Sequence, residues 1–305
     1  MTRSAGLSKK KRINGEYLSG WLMSGLPLLG LLFFGIIPIL LSFALSFMRL
    51  NTYDISKAVW VGLDNFLFVL KDARFAKSIG NTLLFALSVP VNLVLSLLMA
   101  MLINQKVCGI KLFRTILFIP FVCSDVAVST MWKWLYDVNY GVINDFLGNI
   151  GLQIPWLNDE RYFMLSILIM SAWRGTGYGM LLYQSALSNV SDTLYEAAEV
   201  DGAGKFKRFT KITLPMISPT TFFLLVTGLI GALQNFVIFQ IMGGDAAGPN
   251  EAGLTTVFYL YRMAFKDTIS YGLGYASATA WILSAVIGIL TVLNFKLSKK
   301  WVYDD

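Results

Sequence analysis

Histidine is missing from this chain of 305 residues. Its absence excludes histidine acid–base catalysis, histidine metal ligands and histidine proton relays together. Cysteine is scarce too: Cys108 falls in a short polar loop and Cys123 in an apolar run, so we expect no disulfide. Only 14% of the residues are charged, and they form no recognisable catalytic constellation. We therefore do not expect the chain to be an enzyme.

Apolar residues, in contrast, are abundant. They make up 56% of the chain, and the mean hydropathy is +0.62. A soluble protein of this size could not bury so much apolar surface, whereas a lipid bilayer accepts it. The net charge of +7 could suggest a nucleic-acid partner. Basic residues that flank membrane spans explain it better, so we predict an all-α membrane protein in contact with lipid and no nucleic acid.

Six apolar runs are long enough to cross a bilayer as helices, which takes roughly 20 residues. They cover residues 21–48, 78–104, 113–136, 162–187, 220–242 and 271–297. A signal peptide is the alternative for the start of the chain, but the first run is too long for a signal core and shows no clear cleavage site. We predict a basic cytoplasmic segment (1–20), a six-span domain (21–297) and a cytoplasmic tail (298–305).

The distribution of Lys and Arg predicts the orientation. Six spans put both termini on one side of the membrane, together with the loop around Lys106 and the loop 191–219. That side has fifteen Lys and Arg residues and the opposite loops have eight. Because the cytoplasmic side is the more basic one, both termini are predicted to be cytoplasmic.

The loop 191–219 is the most patterned stretch of the chain. Its acidic half precedes its basic half, in the order Asp192, Glu196, Glu199, Asp201, Lys205, Lys207, Arg208, Lys211. Thr193 and Glu196 have the spacing of a capping box, which begins a helix. Gly202 suits the left-handed conformation that ends one. Pro215 and Pro219 are expected to stop a second short helix and to begin the next span.

This loop resembles the EAA loop of permease subunits in binding-protein-dependent ABC importers, specifically the carbohydrate class that includes the maltose and glycerol-3-phosphate importers. The matching residues are Glu196, Ala197, Ala198, Asp201, Gly202, Ala203, Phe206, Phe209, Ile212, Leu214, Pro215 and Pro219. Phe206 stands where many family members have Trp. Further matches at 62–66, 81–83, 140–144 and 299–302 extend the resemblance over nearly the whole chain after the basic segment.

The resemblance implies the type I ABC importer permease fold, in which the EAA loop is a coupling helix that docks on a separate ATPase subunit. The residues expected to couple are Glu196, Ala197, Ala198, Asp201, Gly202, Ala203, Leu214 and Pro215. The chain itself has no P-loop: around Gly204-Lys205, the positions that need Gly and Ser or Thr are Glu199 and Phe206. We therefore expect no cofactor in this chain, with ATP and Mg on the partner ATPase.

Polar residues within the apolar runs predict a substrate cavity, because such groups usually face the protein interior or water. Arg174 and Tyr178 lie one helical turn apart in the fourth run, and Gly228, Gly231 and Asn235 recur at helical spacing in the fifth. Guanidinium, amide and aromatic groups suit a sugar. In the maltose-type permease the sugar binds on the corresponding stretches; Tyr178 and Asn235 match it in residue type and Arg174 does not. Helix packing is the alternative for these residues, above all for the two glycines.

Asp125, in the third run, is predicted to make a structural interior contact. Arg174 hints at an anionic substrate, although a basic residue there could equally serve a neutral sugar.

The predicted function is that of one permease subunit in an ATP-driven importer of a sugar or oligosaccharide. The resemblance implies a homologous second permease, two ATPase subunits and an extracytoplasmic solute-binding protein, assembled in a bacterial cell membrane. A self-sufficient, ion-coupled carrier or channel is the rival hypothesis. It would need an ion site within the spans, where Arg174, Asp125 and Lys133 are the charged candidates, and it leaves the loop 191–219 unexplained.

Cysteine labelling tests the predicted orientation. In a chain freed of Cys108 and Cys123, a cysteine at position 10 or 205 should resist an impermeant maleimide added to intact cells, because both positions are predicted to be cytoplasmic. A cysteine at position 266, in a predicted outer loop, serves as the accessible control. External labelling at position 10 or 205 would contradict the topology.

Overall fold

The computed structural model describes residues 5–51, 54–104, 109–267 and 272–303, and these are almost entirely helical. The helices in chain order are α1 (Ala5–Leu31), α2 (Ile37–Ser46), α3 (Asp64–Lys71), α4 (Ala73–Ala86), α5 (Ser88–Ile103), α6 (Ile110–Val122), α7 (Asp125–Leu135), α8 (Val142–Gly148), α9 (Glu160–Ser188), α10 (Asp192–Val200), α11 (Lys205–Arg208), α12 (Leu214–Met216), α13 (Ser218–Leu233), α14 (Val237–Gly243), α15 (Thr256–Phe265) and α16 (Gly272–Ser298). A two-stranded antiparallel ribbon joins β1 (Met48–Arg49) to β2 (Val59–Trp60). Cys108 lies outside the described residues, and Cys123 is a free, exposed thiol.

Each of the six predicted runs lies mainly on helix where the structure describes it. Within the described residues, three continuous stretches are long and apolar enough to cross a membrane, namely Ser19–Ser46, Ala73–Ile103 and Gly272–Ser298, and the number rises to five if each of two bent helix pairs is one span. The helix α9 has 29 residues, or about 43 Å at 1.5 Å per residue, so it is also long enough, but it is less apolar. A π-helical turn at Leu32–Ile36 joins α1 to α2.

Two of the runs are broken helices, which the hydropathy pattern did not predict. The third run bends by 101° between α6 and α7, at Cys123 and Ser124. The extended backbone of Ser124 places its hydroxyl where it accepts a hydrogen bond from the N–H of Ala127 and caps α7. The fifth run contains two helices: α13 ends at Leu233 and α14 begins at Val237. Asn235 therefore lies in a helix break and not at a regular helical position, as its spacing from Gly231 had suggested.

Glycines let the long helix α9 approach its neighbours closely. A Cβ atom on Gly177 would clash with the carbonyl oxygen of Leu117 in α6, and one on Gly179 would clash with the hydroxyl of Ser96 in α5. That hydroxyl donates a hydrogen bond of 3.1 Å to the carbonyl of Thr176. In a membrane, where lipid competes for apolar contacts, such close backbone approach is a main source of helix association.

The loop 191–219 forms a short helix, a tight turn and a second helix, as predicted, and Gly202 has the expected left-handed φ of 72°. Two details of the prediction were wrong. The cap of α10 is Ser191, whose hydroxyl accepts from the N–H of Thr193 at 3.3 Å, because the helix begins at Asp192, one residue before Thr193. Pro215 does not stop the second helix.

The second helix continues past Pro215 because that residue sits in the first turn of α12, where a missing N–H is tolerated. A π-helical turn at Phe209–Thr213 joins α11 to α12, and the chain bends by 61° only at Ile217, before Pro219 enters α13.

An ionic cluster holds the segment between α14 and α15. Glu251 pairs with Arg74 of α4 at 2.7 Å and with Arg262 of α15 at 3.0 Å. The segment contains three non-glycine residues with positive φ, which are Ala247, Asn250 and Glu251. Such backbone angles persist only where surrounding contacts fix them, and the two arginines supply those contacts at Glu251.

A second polar contact anchors a helix end nearby. At the N-terminus of α9, Asp159 accepts hydrogen bonds from the side chain and backbone of Arg161, which lower the pKa of Asp159 to about 2.

Substitution of Gly177 by Ala tests the packing of α9. The added methyl would meet the Leu117 backbone, which cannot move aside as a side chain could, so we expect a loss of about 1–3 kcal/mol of stability. Gly80→Ala is the matched control, since a Cβ on Gly80 meets nothing within 4 Å and alanine favours helix. Thermal unfolding of the purified complex measures both variants. An unchanged transition temperature for Gly177→Ala would refute the packing account.

Candidate functional site

One cavity of about 380 Å³ opens among helices α4, α5, α6, α9 and α13 and the start of α14. All five residues predicted to bind substrate line it, namely Arg174, Tyr178, Gly228, Gly231 and Asn235. Its wall includes Val89 and Ala232 of one buried apolar cluster and Leu224 of the other. The structure thus brings together residues from the fourth and fifth runs that the sequence pattern had selected separately.

Arg174 closes the wall of the cavity at the break between α6 and α7. Its guanidinium Nη2 lies 2.6 Å from Oδ1 of Asp125, the first residue of α7, and 3.3 Å from the carbonyl oxygen of Cys123. A carbonyl freed at a helix break needs a donor, and a carboxylate at membrane depth needs a cation. Arg174 satisfies both, which agrees with the interior contact predicted for Asp125.

An aromatic surface continues the wall beside Arg174. The rings of Phe121 and Tyr178 stack with centroids 4.6 Å apart and an interplanar angle of 13°. The guanidinium carbon of Arg174 lies 6.0 Å from the Phe121 centroid, on the outer limit of a cation–π contact. Tyr178 lies one helical turn from Arg174, as the spacing predicted.

Several polar atoms of the cavity wall have no hydrogen-bond partner among the described residues. They are Oδ1 of Asn92, Oγ of Ser171, Oδ1 of Asn235 and Nε of Arg174, all of them inaccessible to bulk solvent in this chain. A buried polar atom without a partner costs about 1–3 kcal/mol. These four atoms therefore have unused hydrogen-bonding capacity beside the cavity.

Asn92 and Ser171 are site residues that the sequence interpretation missed. Asn92 is an amide within the second apolar run, so the argument that selected Asn235 would also have found it. Its Nδ2 donates to the carbonyl of Ser171 at 3.4 Å, which joins α5 to α9. Ser171 left no comparable signal, because serine is common in membrane helices and often bonds within its own helix.

The two cavity glycines differ in what surrounds them. A Cβ on Gly228 would meet Cγ1 of Val89 at 2.9 Å, so this glycine serves close helix packing as well as lining the cavity. A Cβ on Gly231 would have no described heavy atom within 4 Å. Packing therefore explains Gly228, whereas Gly231 borders open space.

The loop 191–219 is a separate exposed surface. Glu196, Asp201 and Gly202 are exposed. The turn is fixed by a hydrogen bond from the N–H of Ala203 to the carbonyl of Ala198 at 2.8 Å, and by an ion pair between Arg208 and Glu199 at 2.9 Å. These contacts join α10 to α11 on either side of the glycine.

Large apolar side chains flank the glycine turn. Val200 is 89% exposed and Phe206 is 79% exposed. Leu214 is 38% exposed, whereas Ala198 and Pro215 are partly covered. These exposed apolar side chains lie next to the acidic residues of α10.

Comparison with known proteins identifies the family. Residues 58–302 match the family described as "Binding-protein-dependent transport system inner membrane component". The chain belongs to this family. It is a membrane permease of the ABC transporter type, and the resemblance seen in the loop 191–219 is confirmed.

Individual relatives align with nearly the whole permease. It is 33% identical over 302 residues to "Probable ABC transporter permease protein YesP" of Bacillus subtilis, covering 97% of this chain and 96% of that one. It is 33% identical over 288 residues to "Lactose transport system permease protein LacF" of Rhizobium radiobacter, covering 93% and 95%. It is 31% identical over 261 residues to a glycerol-3-phosphate permease, UgpA of Yersinia pestis, covering 84% and 86%.

A solved structure supports the fold. A chain of a bacterial ABC transporter that imports the acidic polysaccharide alginate superimposes with a TM-score of 0.79 at 25% identity, covering 95% of this permease and 99% of that chain. The predicted type I importer permease fold is therefore confirmed.

Substitution of the two cavity glycines separates their roles. Gly231→Phe should place a ring in open cavity space, so we expect uptake to fall at least about tenfold while the complex assembles normally. Gly228→Phe should instead disturb the contact with Val89 and lower the yield of folded complex. Uptake into proteoliposomes and size-exclusion profiles measure the two effects. Normal uptake by Gly231→Phe would remove this cavity from the pathway.

Proposed function

We propose that this permease forms, with a homologous second permease subunit, the translocation pathway for a sugar or oligosaccharide. An extracytoplasmic solute-binding protein delivers the substrate, and two copies of a separate cytoplasmic ATPase supply the energy. The cavity lined by all five predicted residues is the observation that carries the proposal. Two relatives named for lactose and glycerol-3-phosphate transport, and a structurally similar transporter that imports alginate, support the substrate class.

The cavity chemistry suits a carbohydrate. Sugars bind through hydrogen bonds to amides, hydroxyls and guanidinium groups and through contact of their C–H faces with aromatic rings. The stacked rings of Phe121 and Tyr178 offer such a face, and the unpartnered atoms of Asn92, Ser171 and Asn235 offer the hydrogen bonds. A volume of about 380 Å³ in this single chain accommodates one or two sugar rings, and the second permease would extend it.

The loop 191–219 is proposed to be the coupling element. Its acidic helix α10, the Gly202 turn and the exposed Val200 and Phe206 would dock in a cleft of the ATPase. ATP and Mg bind that subunit and not this permease. Closure of the ATPase dimer would draw the coupling loops of the two permeases together and open the cavity outward, and hydrolysis would reset it. Both termini of the permease and this loop are cytoplasmic in this arrangement.

An ion-coupled carrier is disfavoured by the same geometry. The charged candidates for an ion site were Asp125, Arg174 and Lys133. Asp125 and Arg174 pair with each other at 2.6 Å, and Nζ of Lys133 donates to the carbonyl of Ile241 at 3.2 Å. Each candidate therefore already has a partner within the chain.

Alanine variants test the cavity. Tyr178→Ala and Asn235→Ala should each lower uptake about ten- to hundredfold without loss of assembly, because each removes one wall group at membrane depth. Tyr17→Ala and Asn149→Ala replace the same residue types at exposed positions outside the cavity and should transport normally. Wild-type kinetics in both cavity variants would contradict the assignment.

Variants of the loop test coupling. Glu196→Lys reverses a charge in α10, and Gly202→Asp forces a side chain into a left-handed conformation at a cost of about 1 kcal/mol. Both should weaken ATPase docking or uncouple hydrolysis from uptake, and leave the sugar affinity of the binding protein unchanged. The readouts are subunit stoichiometry, binding-protein-stimulated ATP hydrolysis and uptake in proteoliposomes.

The loop variants have matched controls. Gly109 also has a positive φ of 83° with open surroundings, so Gly109→Asp introduces the same strain in another loop. Asp145→Lys reverses an exposed charge in α8, outside the loop. Both should couple normally. Full stimulated hydrolysis and full uptake in Glu196→Lys and Gly202→Asp would mean that the loop is not the coupling element.

A further inference from the structure

The cavity wall contains a single charged side chain among the described residues, Arg174. The guanidinium does not face the cavity as a free cation, because Asp125 pairs with it at 2.6 Å and the carbonyl of Cys123 accepts from the same nitrogen at 3.3 Å. The pair is partly covered, with 23% of the Arg174 side chain and 36% of the Asp125 side chain exposed. The net charge that the wall offers to a ligand is therefore zero.

The unpartnered polar atoms beside the cavity have the chemistry to bind hydroxyl groups. Oδ1 of Asn92 and Oδ1 of Asn235 are unpartnered acceptors, Oγ of Ser171 can donate or accept, and Nε of Arg174 is an unpartnered donor. A hydroxyl can donate to an amide oxygen and accept from the guanidinium at once. An ionised carboxylate can only accept, so one placed against either amide oxygen would leave that oxygen without a donor.

An anion would also meet a charge penalty. To reach the guanidinium it would have to displace Asp125, which would then be left without a cation at membrane depth, or lie beside that carboxylate. Either outcome is costly where water is scarce. We propose that this permease selects neutral, hydroxyl-rich sugars and discriminates against anionic ones through the Arg174–Asp125 pair. This inference rests on the proposed function and names the charge class of its substrate.

The proposed preference for neutral sugars differs from the substrate of a structurally similar transporter. The structurally similar transporter takes up alginate, an acidic polysaccharide. Arg174 alone would suggest a similar preference here, whereas the Asp125 carboxylate next to it predicts the opposite.

Direct binding to the assembled importer tests the inference. The permeases and ATPases, without the solute-binding protein that would filter ligands, are placed in nanodiscs and titrated calorimetrically. The probes are neutral di- and trisaccharides of glucose and galactose and the matching uronates, in which each CH₂OH is a carboxylate. We expect the best neutral sugar to bind the wild type at least about tenfold more tightly than its uronate counterpart.

Charge variants at position 125 test the mechanism. Asp125→Asn frees the guanidinium, so the preference for the neutral sugar should shrink about tenfold or reverse. Asp125→Glu keeps the carboxylate and should keep the preference. Asp145→Asn, an exposed acidic position outside the cavity, controls for overall charge and should leave it unchanged. If Asp125→Asn fails to assemble, Asp125→Ser also frees the guanidinium and should shrink the preference in the same way.

The outcomes distinguish this inference from the proposed function. Equal or tighter binding of uronates by the wild type, or no saturable binding of any neutral sugar, would overturn the inference. An unchanged preference in an assembled Asp125→Asn importer would overturn it as well. If uronates bind more tightly than neutral sugars and Gly231→Phe abolishes their binding, the cavity remains the substrate site and only the proposed charge class of the substrate is wrong. If binding persists unchanged in Gly231→Phe, the proposed function itself fails.

Discussion

The contact between Arg174 and Asp125 is the interaction on which the site depends. It crosses from the long helix α9 to the first residue of α7, immediately after the chain has turned by 101°. A break of this size frees backbone carbonyls that lipid cannot satisfy, so it is tolerated only where side chains supply donors. Arg174 supplies one to Cys123 and at the same time neutralises a carboxylate. One side chain thus serves both the broken backbone and the carboxylate beside it.

The cavity also depends on close packing around α9. Gly177 and Gly179 bring α9 against α6 and α5 near the cavity, whereas Gly231 leaves the opposite wall open. Glycines therefore have two opposite roles in this region. Gly177 and Gly179 allow neighbouring helices to pack closely, whereas Gly231 leaves the cavity open. A cavity between helices can persist in a membrane only if the surrounding contacts are tight, since lipid gives no hydrophobic force that would hold the helices together.

The sequence predicted the helical class, the positions of the six runs and five residues of the cavity wall, because apolar runs and polar residues within them are visible in local composition. It did not predict what depends on contacts between helices. The breaks at Ser124 and Asn235 have no signal in hydropathy, since both lie within apolar runs. The partner of Arg174 lies 49 positions away, so spacing alone could not reveal that its charge was already neutralised.

The exposed Val200 and Phe206 have a consequence for the cell that makes this permease. Side chains of this kind remain harmless only while a partner covers them, and an unassembled copy would present them to chaperones and proteases. If the ATPase covers these two side chains in the assembled transporter, as proposed, an unassembled subunit would be removed sooner than an assembled one. The same two residues that would transmit force in the working transporter would thereby mark an incomplete one for removal.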